Sequence, residues 1–327
     1  MSKVQLRDLD VATFVNHDIH RRERVWAESN CYVDLWVELL HGLGLDPVPC
    51  LAFCVGLDFE GDQLSFFKFP IADLQKMYGI VVAELNVWRR LDFHVEDQLR
   101  QGRAPIIEVD SWFLPDTAGV SYKNEHVKTS LAVMSIDTDA RTMTYFHGQS
   151  LYAVSGDDFD GLLRRVPPYS DPDRLPPYFE TAKLDRMENP DVRTQYARAL
   201  ELLREHVKHR PTKDPYVALA ARFDAELDWM RSGPPTAYHG WAFATLRQGG
   251  ASFELLALFL RWLVAQGETG LDEAIAACDS INEASRTLMQ KVARAVNGKR
   301  QIDAKETFAT LSSGWQTVMR VLDAKYR

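Results

Sequence analysis

The fold is decided by the stretch Glu28-Ser29-Asn30-Cys31-Tyr32, which places a thiol at the first turn of a predicted helix. Ser29 or Asn30 is a suitable N-cap, and Gly42 stands where the helix would end. Free backbone N–H groups and the positive end of a helix dipole favour a thiolate at such a turn. The stretch therefore predicts a nucleophile at Cys31, and the alternative is a small buried core residue. The helix itself is predicted from apolar residues at helical spacing: Tyr32, Leu35, Trp36, Leu39 and Leu40.

Composition narrows the class of protein. The 327 residues are 46% hydrophobic, which is ample for a packed core. A net charge of -8 without a long Lys/Arg run argues against a nucleic-acid partner. No signal peptide is recognisable and no apolar run approaches the roughly 18 residues of a membrane span, so we expect a cytoplasmic protein. The four cysteines fit neither a disulfide scaffold nor a zinc pattern, and we expect no metal.

The first 165 residues mix helix and strand signals, which predicts an α+β domain over residues 1–165. Cys50–Phe59 and Gln63–Phe69, joined by a Gly-containing turn, are predicted to form a β-hairpin. Ser111–Glu125 lacks periodicity and is predicted to be a binding loop. The other predicted elements are helices at Ile71–Tyr78, Asp92–Gln101 and Asp157–Arg165 and strands at Ile80–Trp88, Pro105–Asp110, Val127–Ile136 and Thr142–His147.

A proline-rich segment marks the predicted domain boundary. Residues 166–177 contain five prolines, which exclude a helix or a central strand, and we assign residues 166–189 to a linker. Strand signals vanish after that point, so residues 190–327 are predicted to form an all-α domain. Its six predicted helices are Asp191–His209, Pro215–Met230, Ala237–Leu246, Phe253–Ala265, Leu271–Val296 and Ala304–Lys325.

A thiol nucleophile needs a base, and His126 is the candidate because it lies where the long loop meets a predicted strand. A cysteine on a helix facing a histidine on a strand is the arrangement of papain-like proteins. His147, at the end of the neighbouring strand, is the third catalytic candidate and would orient the base, with Asp137 as the alternative. A carboxylate or carboxamide normally takes that role, so a structural role for His147 stays open.

Three motifs together resemble a known family. They are Asn30-Cys31-Tyr32 on a helix, the run from Val109 to Pro115 after a strand, and Tyr122 with His126 opening a hairpin. Over roughly residues 25–160 they resemble the N-terminal region of the butirosin biosynthesis protein H family. The resemblance implies a papain- or C39-peptidase-like fold turned to acyl transfer. The whole chain, including Tyr238–Gln248, is similar to an uncharacterised bacterial family that shares this N-terminal half.

The resemblance implies a cysteine acyltransferase with Cys31 as nucleophile and His126 as base. The enzyme would take an aminoacyl group from the phosphopantetheine thioester of a carrier protein and pass it to an amine. It would hold no cofactor itself, and its partners would be the aminoacyl carrier protein and an amino-acid:carrier-protein ligase. Where that family's fold would place an Asp or Asn as the third residue of a catalytic triad, this chain has His147. The alternatives are a cysteine peptidase, amidase or thioesterase, and a non-catalytic carrier-binding protein.

Five residues are candidates for substrate binding, each with a structural alternative. Asn30 lies beside the thiol and is also a cap. Asp110 would hold the substrate α-ammonium or cap the loop. Trp112 and Tyr122 would line a pantetheine tunnel or simply pack. Arg247 would meet a carrier phosphate or pair with Glu254 between two helices.

Overall fold

The computed structural model describes residues 3–21, 23–26, 28–171, 173–298 and 300–327. The chain divides into two compact units, each built from three segments. The first contains Met1–Arg22, Asn30–Pro47 and Pro70–Pro190. The second contains Glu23–Ser29, Val48–Phe69 and Asp191–Arg327. One proline of the predicted linker, Pro172, lies outside the described residues.

The first unit is built on an antiparallel sheet. Six strands follow the order β2-β7-β3-β4-β5-β6, and β1 pairs with β4 beside that path. The register places Thr129 of β4 opposite Val109 of β3, and Lys128 opposite Asp110. The strands are β1 Val4–Gln5, β2 Val81–Glu84, β3 Arg103–Asp110, β4 Lys128–Asp137, β5 Thr142–His147, β6 Ser150–Ser155 and β7 Phe179–Lys183.

Five helices accompany this sheet: α1 Asp18–Arg21, α2 Cys31–Gly42, α3 Ile71–Tyr78, α4 Leu91–Arg100 and α5 Gly156–Leu162. Helix α2 packs on β4 and β5, because its apolar residues are buried along most of its length. Only glycine fits at its last position, since a Cβ on Gly42 would lie 2.4 Å from the Phe146 ring. A second group of buried side chains from α4, α5 and the central strands forms a core with Val95, Ile107, Leu131 and Phe159.

The second unit is helical. Its helices are α6 Val192–His209, α7 Pro215–Ser232, α8 Pro235–Ala242, α9 Gln248–Ala265, α10 Asp272–Gly298 and α11 Lys305–Tyr326. A π-helix, Phe243–Arg247, joins α8 to α9, so that two predicted helices form one continuous run. A 3₁₀ segment, Val48–Gly56, packs against α6 and α9. None of the helices in the described ranges is both long and apolar enough to cross a bilayer.

The mixed α+β class is confirmed, with an antiparallel sheet in the N-terminal part and helices in the C-terminal part. Two predicted elements, Ile71–Tyr78 and Thr142–His147, have the predicted bounds. The helix at Ile71–Tyr78 ends where expected because Gly79 adopts the left-handed conformation, with φ 71°.

The predicted hairpin at Cys50–Phe59 and Gln63–Phe69 is wrong. Val48–Gly56 is a 3₁₀ helix, and a single bridge between Phe59 and Leu64 is all that pairs the two segments. A short apolar run that is buried on every side has no period by which helix and strand can be told apart. The predicted linker 166–189 also contains β7, which pairs with both β2 and β3.

Candidate active site around Cys31

Cys31 is the first residue of α2, as the sequence predicts. Asn30 is the cap, because its Oδ1 accepts the backbone N–H groups of Tyr32 at 3.1 Å and Val33 at 3.0 Å. Asn30 is 2% exposed, so it holds the helix start rather than facing a substrate. Among the described residues, the Cys31 backbone N–H is the donor in the first turn of α2 that the Asn30 side chain does not bind.

The Cys31 thiol is half-buried, and burial is the main influence on its ionisation. Burial raises the pKa of Cys31. The Thr129 side chain and the Lys128 charge lower it by less, so the pKa stays above its ordinary value. Asp34, one turn further along α2, also raises it. Cys31 is therefore a thiol at neutral pH and needs a base within reach of its proton.

A chain of hydrogen bonds leads from Thr129, beside the thiol, to a buried carboxylate. The Thr129 side chain lies close enough to Cys31 to lower the pKa of the thiol, and its hydroxyl lies 2.8 Å from His147 Nε2. His147 Nδ1 lies 2.5 Å from Asp116 Oδ2. A carboxylate only accepts, so Nδ1 carries the proton and Nε2 of the neutral ring accepts the Thr129 hydroxyl proton. This is the tautomer that a general base requires.

The far end of this chain is held rigidly. The His147 and Asp116 side chains are 12% and 4% exposed. Tyr145 donates its hydroxyl proton to Asp116 Oδ1 at 2.5 Å, so both carboxylate oxygens have partners. Burial and, after it, the Asp116 charge raise the pKa of Tyr145, which keeps that hydroxyl a donor. Asp116 is thus fixed as an acceptor for His147.

His126 does not reach this site, and its predicted role as the base is not supported. Its side chain is 58% exposed, its Nδ1 lies 2.6 Å from Asp110 Oδ2, and its ring stacks on Trp112 at 4.6 Å. No hydrogen bond among the described residues joins it to Cys31. The physical reason is that β4 begins at Lys128, so Thr129 meets the thiol.

Asp137 does not orient a histidine. Its Oδ1 accepts the backbone N–H groups of Asp139 at 3.1 Å and Ala140 at 2.9 Å, which fixes the turn between β4 and β5. The carboxylate that the sequence analysis missed is Asp116, in the loop after β3. The sequence gives little indication of this role, because the composition of the loop does not show which acidic side chain points toward β5.

The predicted substrate-binding residues of the loop are bound to one another or to nearby groups. Asp110 accepts the Trp112 N–H at 3.0 Å besides its bond to His126. Tyr122 donates its hydroxyl proton to Asp158 at 2.8 Å, and this bond raises the pKa of Tyr122. Asp110, Trp112 and His126 therefore form one exposed group, and Tyr122 is tied to α5.

Arg247 lies in the second unit, and its predicted pairing with Glu254 is wrong. Its guanidinium donates to the backbone carbonyl oxygens of Ser29 at 3.1 Å and Glu28 at 2.9 Å. Glu254 is paired with Arg24, at 2.8 Å. Arg247 thus holds the segment that directly precedes Asn30 in the sequence.

The comparisons with known proteins identify a family. The model of the DUF1839 N-terminal domain matches residues 15–184, and that of the DUF1839 C-terminal domain matches residues 192–324. No curated protein matches the chain. The family name states no activity, so the chemistry has to be inferred from the site itself.

Proposed function

This chain belongs to the DUF1839 family, and we propose that it is a cysteine acyltransferase with Cys31 as nucleophile. The observation that carries the proposal is the hydrogen-bonded row Thr129–His147–Asp116, whose first member lies beside the Cys31 thiol. His147 takes the role of base, and Asp116 takes the orienting role that a papain-like fold gives to Asp or Asn.

Each proton has a defined path in the first step. As the Cys31 sulfur attacks an acyl carbonyl carbon, its proton passes to Thr129 Oγ1 and the Thr129 hydroxyl proton passes to His147 Nε2. The imidazolium is stabilised by Asp116 at 2.5 Å. The Thr129 hydroxyl then donates to the sulfur. The Cys31 N–H is the donor available to the developing oxyanion.

We further propose that the acyl donor is an aminoacyl thioester on the phosphopantetheine arm of a carrier protein. Cys31 forms a new thioester, the bond to the pantetheine sulfur breaks, and the departing thiolate takes the proton from His147 through Thr129. An amine acceptor then attacks the Cys31 thioester and releases the thiol. A thioester-for-thioester exchange needs no outside energy source, because the acyl group is already activated.

Two other functions remain as outcomes of the test. With water as acceptor the same residues would make a thioesterase or amidase. The raised pKa of Cys31 favours a non-catalytic binding protein, because a buried thiol is less reactive.

The proposal is tested by intact-protein mass spectrometry of the chain mixed with carrier protein charged with several amino acids. We expect an aminoacyl mass on the wild type that is absent from Cys31→Ala. Cys50→Ala is the matched control, because Cys50 is fully buried in the second unit and should leave labelling unchanged. Faster decay of the carrier thioester without an adduct would indicate a hydrolase. No labelling and no accelerated decay would overturn the proposal in favour of a binding protein.

A further inference from the structure

A pocket of about 620 Å³ lies in the first unit, and none of the residues of the Cys31 site lines it. Its walls come from residues 87–91 before and at the start of α4, residues 163–165 after α5, and residues 169–171, 174, 176 and 177 of the proline-rich segment. One carboxylate, Asp171, lines the pocket. Against it stand five arginines: Arg89, Arg90, Arg164, Arg165 and Arg174.

Three of these arginines have carboxylate partners. Arg89 pairs with Asp97, Arg90 pairs with the buried Asp92, and Arg165 reaches Asp160 at 3.2 Å. These pairs fix the positions of the three guanidinium groups and offset much of their charge.

Arg164 and Arg174 are different. Neither forms an ion pair with any carboxylate among the residues that the structure describes. Arg164 donates to the backbone oxygen of Leu175 at 2.6 Å, and Arg174 lies over the Tyr169 ring at 4.8 Å. Burial and then the nearby Arg174 charge lower the pKa of Arg164. The pocket therefore holds two like charges, and the charges of Asp110 and Glu108 partly offset that of Arg164.

Arg164 also occupies an unfavourable backbone position. Its φ is 53°, in the left-handed region, directly after α5. The Arg164 N–H donates to Gly161 at 3.1 Å and the Arg165 N–H to Asp160 at 2.8 Å, which is the helix-ending arrangement that usually carries glycine. This turn fixes the point at which the Arg164 side chain leaves the backbone at the end of α5.

The same pocket offers a flat aromatic surface. Trp88 lines it and is 75% exposed, which is unusual for so large an apolar side chain. The Arg89 guanidinium lies 5.0 Å from the Trp88 ring, and the His94 ring meets the indole edge-on at 5.9 Å. These contacts orient the indole, so it can stack on a planar ring.

We propose that this pocket binds a nucleoside diphosphate, with Arg164 and Arg174 on the phosphates and Trp88 against the base. Guanidinium groups match phosphate oxygens in geometry and charge, and two unpaired ones beside three fixed ones suit a diphosphate. The volume lies in the usual range for small-ligand pockets. The net charge of -8 makes this a local basic site on an acidic protein, which suits a small ligand better than a polynucleotide.

Isothermal titration of the full chain with ADP, inorganic pyrophosphate and adenosine tests the proposal. We expect ADP to bind most tightly, then pyrophosphate, with adenosine weakest. Arg174→Gln should weaken ADP and pyrophosphate by about tenfold or more, since it removes charge-assisted hydrogen bonds. Trp88→Ala should weaken ADP and leave pyrophosphate unchanged. Arg222→Gln is the control, because Arg222 is paired with Glu226 in the second unit.

Arg164→Gly separates binding from folding. Glycine adopts the left-handed backbone without strain, and this gain offsets the loss of the hydrogen bond to the Leu175 backbone oxygen. We therefore expect the thermal midpoint to change little. ADP binding should fall by about tenfold or more. No ADP binding at millimolar concentration would overturn the proposal. So would citrate binding as tightly as ADP, or ADP binding that neither arginine variant weakens. A Cys31→Ala chain should bind ADP normally, so this outcome does not depend on acyl transfer.

Discussion

Thr129 is the side chain on which the chemistry of this site depends. It stands between the Cys31 thiol and the imidazole of His147, where a papain-like site would place the imidazole itself. The sequence reveals the cysteine because an N-cap and an apolar helix are local features. It does not reveal Thr129, because the start of a strand decides which side chain meets a distant helix, and a shift of one residue changes that side chain.

Removing only the Thr129 hydroxyl should interrupt the proton path. We expect Thr129→Val, which keeps the shape, to lower kcat for acyl transfer by about 10² to 10⁴, the range for loss of positioned proton transfer. Thr129→Ser should keep most of the activity, since it keeps the hydroxyl. Rates are to be measured with a charged carrier protein, and thermal midpoints show whether each variant is folded. If Thr129→Val kept its activity, the Thr129 hydroxyl would not be the group that passes the proton from Cys31 to His147.

The packing of α1 on α2 depends on a buried histidine. His20 lies 2.5 Å from Glu38 and 3.3 Å from Asp34, and all three side chains are nearly inaccessible to solvent. Burial by itself lowers the pKa of His20, but the hydrogen bonds and charges of Asp34 and Glu38 outweigh it and raise the pKa to about 9. On α2, Asp34 is also the residue that raises the pKa of Cys31, so this cluster adjoins the nucleophile.

These shifts predict a pH dependence of stability. Because the folded pKa of His20 is raised from 6.5 to about 9, its contribution is complete below pH 6.5 and is lost as the pH rises toward 9. Burial and then His41 lower the pKa of His17 to about 4, so stability also falls as the pH drops from 6.5 to 4. We expect the free energy of unfolding to be greatest near pH 6.5, measured by urea denaturation across that range.

His20→Gln provides the control for the alkaline side. It should remove most of the decline between pH 6.5 and 9, a change on the order of 2 kcal/mol, while the acid side persists. An unchanged alkaline decline in this variant would assign that decline to another group.

Helix α5 and the loop that carries Asp116 are in close contact. A Cβ on Gly161 would lie 2.2 Å from the ring of Phe113, which is buried in the core of the first unit. We expect Gly161→Ala to lower the free energy of unfolding by about 1 to 3 kcal/mol, because the ring must move. Gly240→Ala is the control, since nothing lies within 4 Å there and alanine favours the helix. A Gly161→Ala chain as stable as the wild type would show that the Phe113 ring can move without lowering the free energy of unfolding.

The two compact units are not two consecutive halves of the sequence. The second unit includes Glu23–Ser29 and Val48–Phe69 besides Asp191–Arg327. Trp26 donates its indole N–H to Asn282 at 2.7 Å, and a Cβ on Gly250 would lie 2.5 Å from its ring. The buried segment Val48–Gly56 packs on α6 and α9. The helical unit therefore obtains part of its core from the N-terminal third of the chain.

A fragment of residues 191–327 should not fold stably alone. It would lack Trp26 and Val48–Gly56, and the apolar surfaces that these residues cover would face water. We expect a broad thermal transition by circular dichroism and rapid limited proteolysis, compared with the full chain. A cooperative transition with the full chain's midpoint would show that the helices are sufficient.

Helix positions were predictable and long-range pairings were not. The six C-terminal helices follow from periodicity, and the end of α3 follows from Gly79. Strand β7 was missed because five residues after a proline-rich segment carry little pattern, although tertiary pairing places them between β2 and β3. At the site, Cys31 was predicted from local signals, whereas His147, Asp116 and Thr129 come together only through the register of β4 and β5.

The most direct test compares His147→Gln with His126→Gln in single-turnover formation of the Cys31 thioester, followed by mass spectrometry. His147 is hydrogen-bonded to Thr129, which lies beside the thiol, whereas His126 is exposed and stacked on Trp112. We predict that His147→Gln slows thioester formation by about 10² to 10⁴ and that His126→Gln changes it little. The reverse order would contradict the account and return the base to His126.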